Sequence, residues 1–150
     1  MAETPTLSGR IVDNLRPLPV PNDLNRPFWE ATSQGRLDIQ RCQKCGTYFH
    51  PPLPFCDICD GRDLRFETVS GRGAIYTFTR VRANRMPAFA EATPYAYVEV
   101  ELAEQPGAFM VCNMSSTPYE RLRVGAPVRV TFVDIGDGIM LPDFELAEGA

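Results

Sequence analysis

Hydrophobic and polar residues alternate with period two through most of the second half of the chain. The clearest run is Tyr95–Leu102. Ala96, Val98, Val100 and Leu102 fall on one face, and Tyr95, Tyr97, Glu99 and Glu101 on the other, the pattern of a strand buried on one side. Residues 69–82 read as a longer strand interrupted by Gly71 and Gly73, as a strand bent around a barrel corner would be. Further strands are expected over 108–114, at Val128, Val130 and Phe132, and over 139–144. Residues 104–107 and Gly136-Asp137-Gly138 supply turn signals, and 118–122 allows one helical turn before Gly125-Ala126-Pro127. Five strands with a break between the third and fourth match the small OB barrel.

The first half follows other periods. Leu24, Phe28 and Ala31 stand at i, i+4 and i+7, one stripe of a short helix. Asp23 or Asn25 can cap it, Pro27 fits its first turn and Gly35 can end it. Trp29, the only tryptophan, lies beside the stripe, where it either packs the helix on its own domain or anchors a partner. Leu37 and Ile39 alternate into Cys42, and Leu64 and Phe66 alternate on leaving Cys59, so a cysteine-rich ribbon with a strand at each end is expected. Residues 1–23 contain Pro5, Pro17, Pro19 and Pro21; they read as an extended arm in which Leu15, Leu18 and Val20 could be buried against a partner. The chain thus divides into an arm over 1–23, helix plus ribbon over 24–67, a barrel over 68–145 and a tail over 146–150.

Composition sharpens this picture at three points. Fourteen prolines in 150 residues argue against a helix bundle. No apolar run approaches the length of a membrane span, and the first ten residues have no apolar core of a secretion signal, so a cytoplasmic protein is expected. The formal charge is −4, from 15 basic and 19 acidic residues; four thiolates and one divalent ion would take it to −6. That balance is poorly suited to a phosphate backbone.

Cys42-Gln43-Lys44-Cys45 and Cys56-Asp57-Ile58-Cys59 are two knuckles with ten residues between Cys45 and Cys56. Two residues between ligands let one tight turn aim both sulfurs at a single ion, and two such turns complete a tetrahedron. Gly46 after the first knuckle permits the left-handed backbone that turns amides toward sulfur; Asp60 holds the equivalent place after the second, followed by Gly61. Structural zinc is the expected occupant, because a closed four-sulfur site has no open position for chemistry. Two disulfides or a single iron are the alternatives. Arg41, Lys44 and Arg62 would offset the thiolate charge.

His50, the only histidine, is expected as a loop residue stacked near Tyr48, Phe49 or the prolines 51, 52 and 54. Cys112 reads as a small buried hydrophobe rather than a nucleophile. With one histidine, histidine-dependent acyl transfer has no apparatus here. Arg72, Arg80, Arg82 and Arg85 gather on and after the first barrel strand, and by strict alternation Arg80 and Arg82 share a face with Tyr76 and Phe78. That face reads either as a solvated edge or as a site for phosphate and an aromatic base.

Phe28-Trp29-Glu30-Ala31, Leu37, Cys42-x2-Cys45-Gly46, Pro51-Pro52, Cys56-x2-Cys59, Ser70-Gly71-Arg72-Gly73, Pro94-Tyr95 and Leu141-Pro142-x-Phe144 together resemble the zinc-ribbon OB-fold family. That family was first catalogued as domain of unknown function thirty-five and is often labelled acyl-CoA-associated. The second knuckle departs from the family pattern, which usually has Pro after its first cysteine and Gly after its second. The resemblance implies a mainly β fold, with an N-terminal helix, a rubredoxin-like zinc ribbon and a five-stranded OB barrel. It also implies a non-catalytic companion of a thiolase-fold enzyme (acyltransferase or retro-aldolase) or a hotdog-fold hydratase, sharing coenzyme A or acyl-CoA with it. On that reading Arg80, Arg82 and Arg85 are the candidate coenzyme contacts, and Trp29, Phe49 and Phe55, with the arm, are the candidate docking surface. The competing expectation is a single-stranded nucleic-acid binder, since ribbons and OB barrels both serve that purpose.

Overall fold

The computed structural model describes residues 17–149; most of the expected arm, Leu15 included, lies outside the described residues. Residues 17–21 form neither helix nor strand, and Leu18, Pro19 and Pro21 are partly buried.

Helix α1 spans Arg26–Ser33, with Pro27 in its first turn, and buries Phe28, Ala31 and Thr32. Asn25, one of the two expected residues, stands at the cap position but makes no capping bond. The Asn25 side chain donates and accepts nothing within the helix; its Oδ1 accepts from the Asn22 amide at 2.8 Å, while Asn22 Oδ1 accepts from the amides of Leu24 and Asn25, each at 3.0 Å. Paired asparagine turns have taken the groups a cap would use. Gly35, with φ +72°, ends the helix in the left-handed region.

The ribbon is a three-stranded antiparallel sheet of order β2-β1-β3, with β1 at Asp38–Cys42, β2 at Tyr48–Phe49 and β3 at Leu64–Thr68. The barrel uses β4 (Arg72–Val81), β5 (Tyr95–Leu102), β6 (Phe109–Cys112), β7 (Pro127–Asp134) and β8 (Met140–Leu146), in the order β6-β5-β4-β7-β8 and antiparallel throughout. A short helix α2, Pro87–Ala90, which alternation did not suggest, sits between β4 and β5, and a 3-10 turn at Tyr119–Arg121 fills the break before β7.

Strand β4 pairs with both β5 and β7, so it must turn the corner of the barrel. Two glycines make the turn: a Cβ on Gly73 would collide with the Glu101 carbonyl oxygen, and one on Gly71 with Val130 Cγ1. A bulge then interrupts the pairing between Ile75 and Thr77. Tyr76 and Thr77 are both exposed, and from there the parity reverses: Phe78 opposes buried Val98 and Arg80 opposes buried Ala96. The common face expected for Tyr76, Phe78 and Arg80 therefore does not form. Tyr76 lies on the outer face against Phe109, ring centroids 4.6 Å apart.

The edges β6 and β8 close the barrel without a ladder. Asp143, buried on β8, accepts from the Met114 amide at 2.7 Å, from the Ser115 amide at 2.9 Å and from the Ser115 hydroxyl. One core runs through the whole fold. Phe28, Leu37 and Ile39 from the helix and ribbon belong to the same buried cluster as Val98, Leu122 and Phe144 from the barrel.

Candidate functional site

The two knuckles bring Cys42, Cys45, Cys56 and Cys59 together, with all four sulfurs within 4.8 Å of one another. Cys42 and Cys59 are 3.6 Å apart, as are Cys45 and Cys56. A tetrahedral ion with bonds of about 2.3 Å sets its sulfurs about 3.8 Å apart; a disulfide would need about 2.05 Å. The cysteines are free thiols, so the pairwise disulfide alternative is overturned.

Backbone conformation builds this cluster as the sequence suggested. Gly46 has φ +78° and Asp60 φ 57°, and their amides donate to the Cys42 and Cys56 carbonyls, each at 2.9 Å. A Cβ on Gly61 would stand 3.0 Å from Cys42 Sγ and 3.2 Å from Cys59 Sγ, so the second knuckle packs on the sulfurs as closely as a hydrogen allows. Hydrogen bonding already favours thiolates at two ligands. The Cys45 amide, aided by Lys44, holds the Cys42 thiol below its ordinary value, and the Thr47 hydroxyl, 3.2 Å away, brings Cys45 to about 6. Burial pushes Cys59 up to about 12; a divalent cation would reverse that shift. The donor set, spacing and closed shell fit structural zinc, which would supply folding energy and no chemistry.

Arg41, marked in the sequence as a countercharge, and two glutamines that were not marked hold the centre in place. Arg41 donates from Nε to the Gly46 carbonyl at 3.0 Å and from NH1 to Glu67 at 3.0 Å, with its guanidinium 4.9 Å from the Tyr48 ring centroid. Buried Gln40 binds Leu53 twice, accepting its amide at 2.7 Å and donating to its carbonyl at 3.0 Å, and so fixes the loop between the knuckles. Gln105, from the turn after β5, binds Tyr48 in the same two-bond manner at 2.9 and 3.3 Å, which fastens the ribbon to the barrel.

The other predicted residues are dispersed. His50 packs on Phe28, centroids 5.0 Å apart, and burial lowers its pKa to about 4. Trp29 meets the edge of Phe28 at 5.0 Å and lines a cleft of about 260 Å³ with His50, Pro51, Pro52, Val111 and Leu141. Phe49 and Phe55 do not line that cleft; Phe49 is partly buried in β2 and Phe55 is exposed beside Cys56. Cys112 is buried, and desolvation, reinforced by the Asp143 charge, raises its thiol pKa. Arg80 is engaged: its guanidinium lies 4.9 Å from the Tyr119 centroid and 3.5 Å from Glu120 Oε1. Arg82 and Arg85 are exposed in the loop that follows β4.

A four-cysteine ribbon fastened to a five-stranded, nearly closed OB barrel defines the class. Residues 29–65 match the model of the ChsH2 rubredoxin-like zinc ribbon domain, and residues 66–133 that of the ChsH2 C-terminal OB-fold domain. The chain belongs to this zinc-ribbon and OB-fold family. It is 35% identical over 133 residues, 89% of its length, to a probable enoyl-CoA hydratase alpha subunit of Thermomonospora curvata, and covers 40% of that protein. It is 30% identical over 134 residues to the 3-oxo-4,17-pregnadiene-20-carboxyl-CoA hydratase alpha subunit of Mycobacterium tuberculosis, covering 81% of this chain and 42% of that one. The chain thus spans about two fifths of these curated relatives. Among solved structures it is similar to a chain of an Ltp2-ChsH2(DUF35) aldolase, with TM-score 0.75 and 32% identity, covering 86% of this chain and 98% of that one. No helix among the described residues is long and apolar enough to cross a membrane.

Proposed function

We propose that the chain is a zinc-stabilised, non-catalytic subunit of an acyl-CoA enzyme. It docks on a thiolase-fold aldolase or acyltransferase, or on a hotdog-fold hydratase, and helps hold the coenzyme A thioester. The observation that carries this reading is the similarity, over 98% of that chain's length, to a chain of an Ltp2-ChsH2(DUF35) aldolase. The state of the chain's own reactive groups supports it. His50 is buried against Phe28, with its pKa lowered to about 4, and Cys112 is buried beside a carboxylate that disfavours its thiolate. Neither is poised as base or nucleophile. Trp29, Phe49, Phe55 and the arm remain the proposed docking surface, and the loop bearing Arg82 and Arg85 the proposed coenzyme contact.

The nucleic-acid reading loses its main support. The β4 bulge parts Tyr76 from Phe78 and Arg80, and the ladder sets the acidic Glu101 opposite Phe109, the ring on which Tyr76 packs.

The test is co-expression with a thiolase-fold or hydratase-fold acyl-CoA enzyme from the same genome. Alone, the chain should turn over no acyl-CoA thioester; the co-purified complex should turn one over faster than the enzyme subunit by itself. Turnover by the isolated chain, or failure of every such enzyme to bind it, would remove this function.

A further inference from the structure

A cavity lies at the end of the barrel, between the loops that follow β4 and β6. It has a volume of about 480 Å³, within the range of about 300–1,000 Å³ usual for small-molecule sites. Its charged lining is one guanidinium, Arg80, and two carboxylates, Glu91 and Glu120, with Arg80 and Glu120 paired at 3.5 Å. Arg80, the one cation of the lining, is thus already engaged by Glu120 and the Tyr119 ring and is poorly placed to take a phosphate. The rest of the lining is neutral: the hydroxyls of Ser116 and Thr117, the amide of Asn113, and the rings of Tyr95 and Tyr119. Asn113 donates its Nδ2 to the Ala96 carbonyl at 2.7 Å, which leaves Oδ1 as the acceptor for a ligand N–H. The Tyr119 wall is rigid, since Phe78 meets the ring edge-on at 5.6 Å and Arg80 lies across it at 4.9 Å.

Positive charge is available outside the cavity. Asn84 stands between the exposed Arg82 and Arg85, and its Nδ2 donates at 3.0 Å to the hydroxyl of Tyr95, a cavity wall. Asn84 Oδ1 accepts from the Met86 amide at 2.9 Å, which shapes the same loop. One side chain therefore ties the basic loop to the rim of the neutral cavity.

We propose that this cavity takes the uncharged, amide-bearing pantetheine arm of an acyl-CoA thioester, with the phosphates outside it at Arg82 and Arg85 and with Arg80 as a wall rather than a phosphate contact. The inference rests on the acyl-CoA reading above and deepens it. Two ligand amides match the Asn113 amide and the Ser116 and Thr117 hydroxyls, and the ligand's geminal methyl groups match the two tyrosine rings. The diphosphate then lies beyond the rim, at the exposed Arg82 and Arg85. This division assigns opposite roles to arginines that are neighbours in sequence.

The test titrates the full zinc-loaded chain with three probes, pantetheine, coenzyme A and adenosine 3′,5′-bisphosphate, while its backbone amide signals are followed by NMR. Pantetheine should shift the amides of Asn113, Ser116 and Thr117. Coenzyme A should bind more tightly than pantetheine by about tenfold or more, the worth of one or two charge-assisted hydrogen bonds. Arg82→Ala with Arg85→Ala should erase that gain and leave pantetheine binding unchanged, whereas Arg80→Gln should retain the gain. Ser116→Trp should abolish pantetheine binding, and Ala92→Leu, from another part of the lining, repeats the test should that variant fold poorly. The proposal is overturned if pantetheine leaves these amides unmoved, if adenosine 3′,5′-bisphosphate alone shifts them, or if Arg80→Gln is the change that erases the gain. Should the chain still activate an acyl-CoA enzyme with unchanged KM in the Ser116→Trp background, the cavity assignment falls and the subunit role stands. If no such enzyme engages the chain, the subunit role itself falls.

Discussion

Gly61 lies where the second knuckle folds back over the first, and its missing side chain is what lets the cluster close. An added Cβ would meet Cys42 Sγ at 3.0 Å, Cys59 Sγ at 3.2 Å and Lys44 Cβ at 3.3 Å, tighter than ordinary packing. Gly61 is not among the glycines with positive φ, so alanine brings no backbone strain and its effect isolates the displacement of two sulfurs. Gly61→Ala should fold with zinc in excess and surrender the ion to a chromogenic chelator faster than the wild type. Equal release rates would show that the knuckle has slack the packing does not display. The four ligands were legible from spacing alone, as was the left-handed role of Asp60, because both are written within a few residues. Asp143 was not. In a strand beside Pro142 and Phe144 it reads as an ordinary polar position, and only the approach of Met114 and Ser115, some thirty residues earlier in the sequence, reveals it as the clasp of the barrel.

At the scale of elements, α1, the inter-knuckle loop and the barrel meet at His50. Its ring packs on Phe28, and burial lowers its pKa from the ordinary 6.5 to about 4. The unfolded chain binds a proton near pH 6.5, while the folded chain refuses it until about pH 4. Between these values the unfolded state holds more protons, so stability rises with pH. The contribution is complete above about pH 6.5, falls as pH drops toward 4 and levels off below, a loss on the order of 3 kcal/mol across the window. Urea denaturation at pH 7.5 and pH 5 should show about 2 kcal/mol of this loss, and His50→Phe, which keeps a ring on Phe28 without a titrating group, should reduce it. Because both proteins share the same cysteines, acid effects on the metal centre cancel in the comparison; an undiminished slope in His50→Phe would assign the effect elsewhere. Element positions were largely legible, since alternation marks strands wherever one face is buried. What alternation hides is a change of parity. One extra residue at Tyr76 set Phe78 and Arg80 opposite Val98 and Ala96 and dissolved a face built on uninterrupted period two.

Across the whole molecule, the ribbon is not an appendage that can unfold by itself. Leu37 and Ile39 share a core with Val98 and Phe144, the Val69 amide donates to the Leu37 carbonyl at 2.9 Å, and Gln105 reaches from the barrel to both polar groups of Tyr48. A ribbon of three short strands has too little apolar surface to hold its shape without metal, and structural zinc contributes about 10–16 kcal/mol of apparent folding energy in small sites. Because the two parts share a core, losing the ion should also expose one side of the barrel. Chelation, or Cys42→Ser or Cys59→Ser, should therefore lower the melting temperature of the barrel and reduce soluble yield, and wild-type protein should carry about one zinc per chain by elemental analysis. Trp29 gives a local probe of the junction, being the single tryptophan and resting on Phe28. Its fluorescence transition and the far-ultraviolet circular dichroism transition of the strands should coincide with metal present and move down together when it is removed. A barrel that melts at an unchanged temperature after metal removal would mean that the shared core is dispensable and that ribbon and barrel are energetically separate.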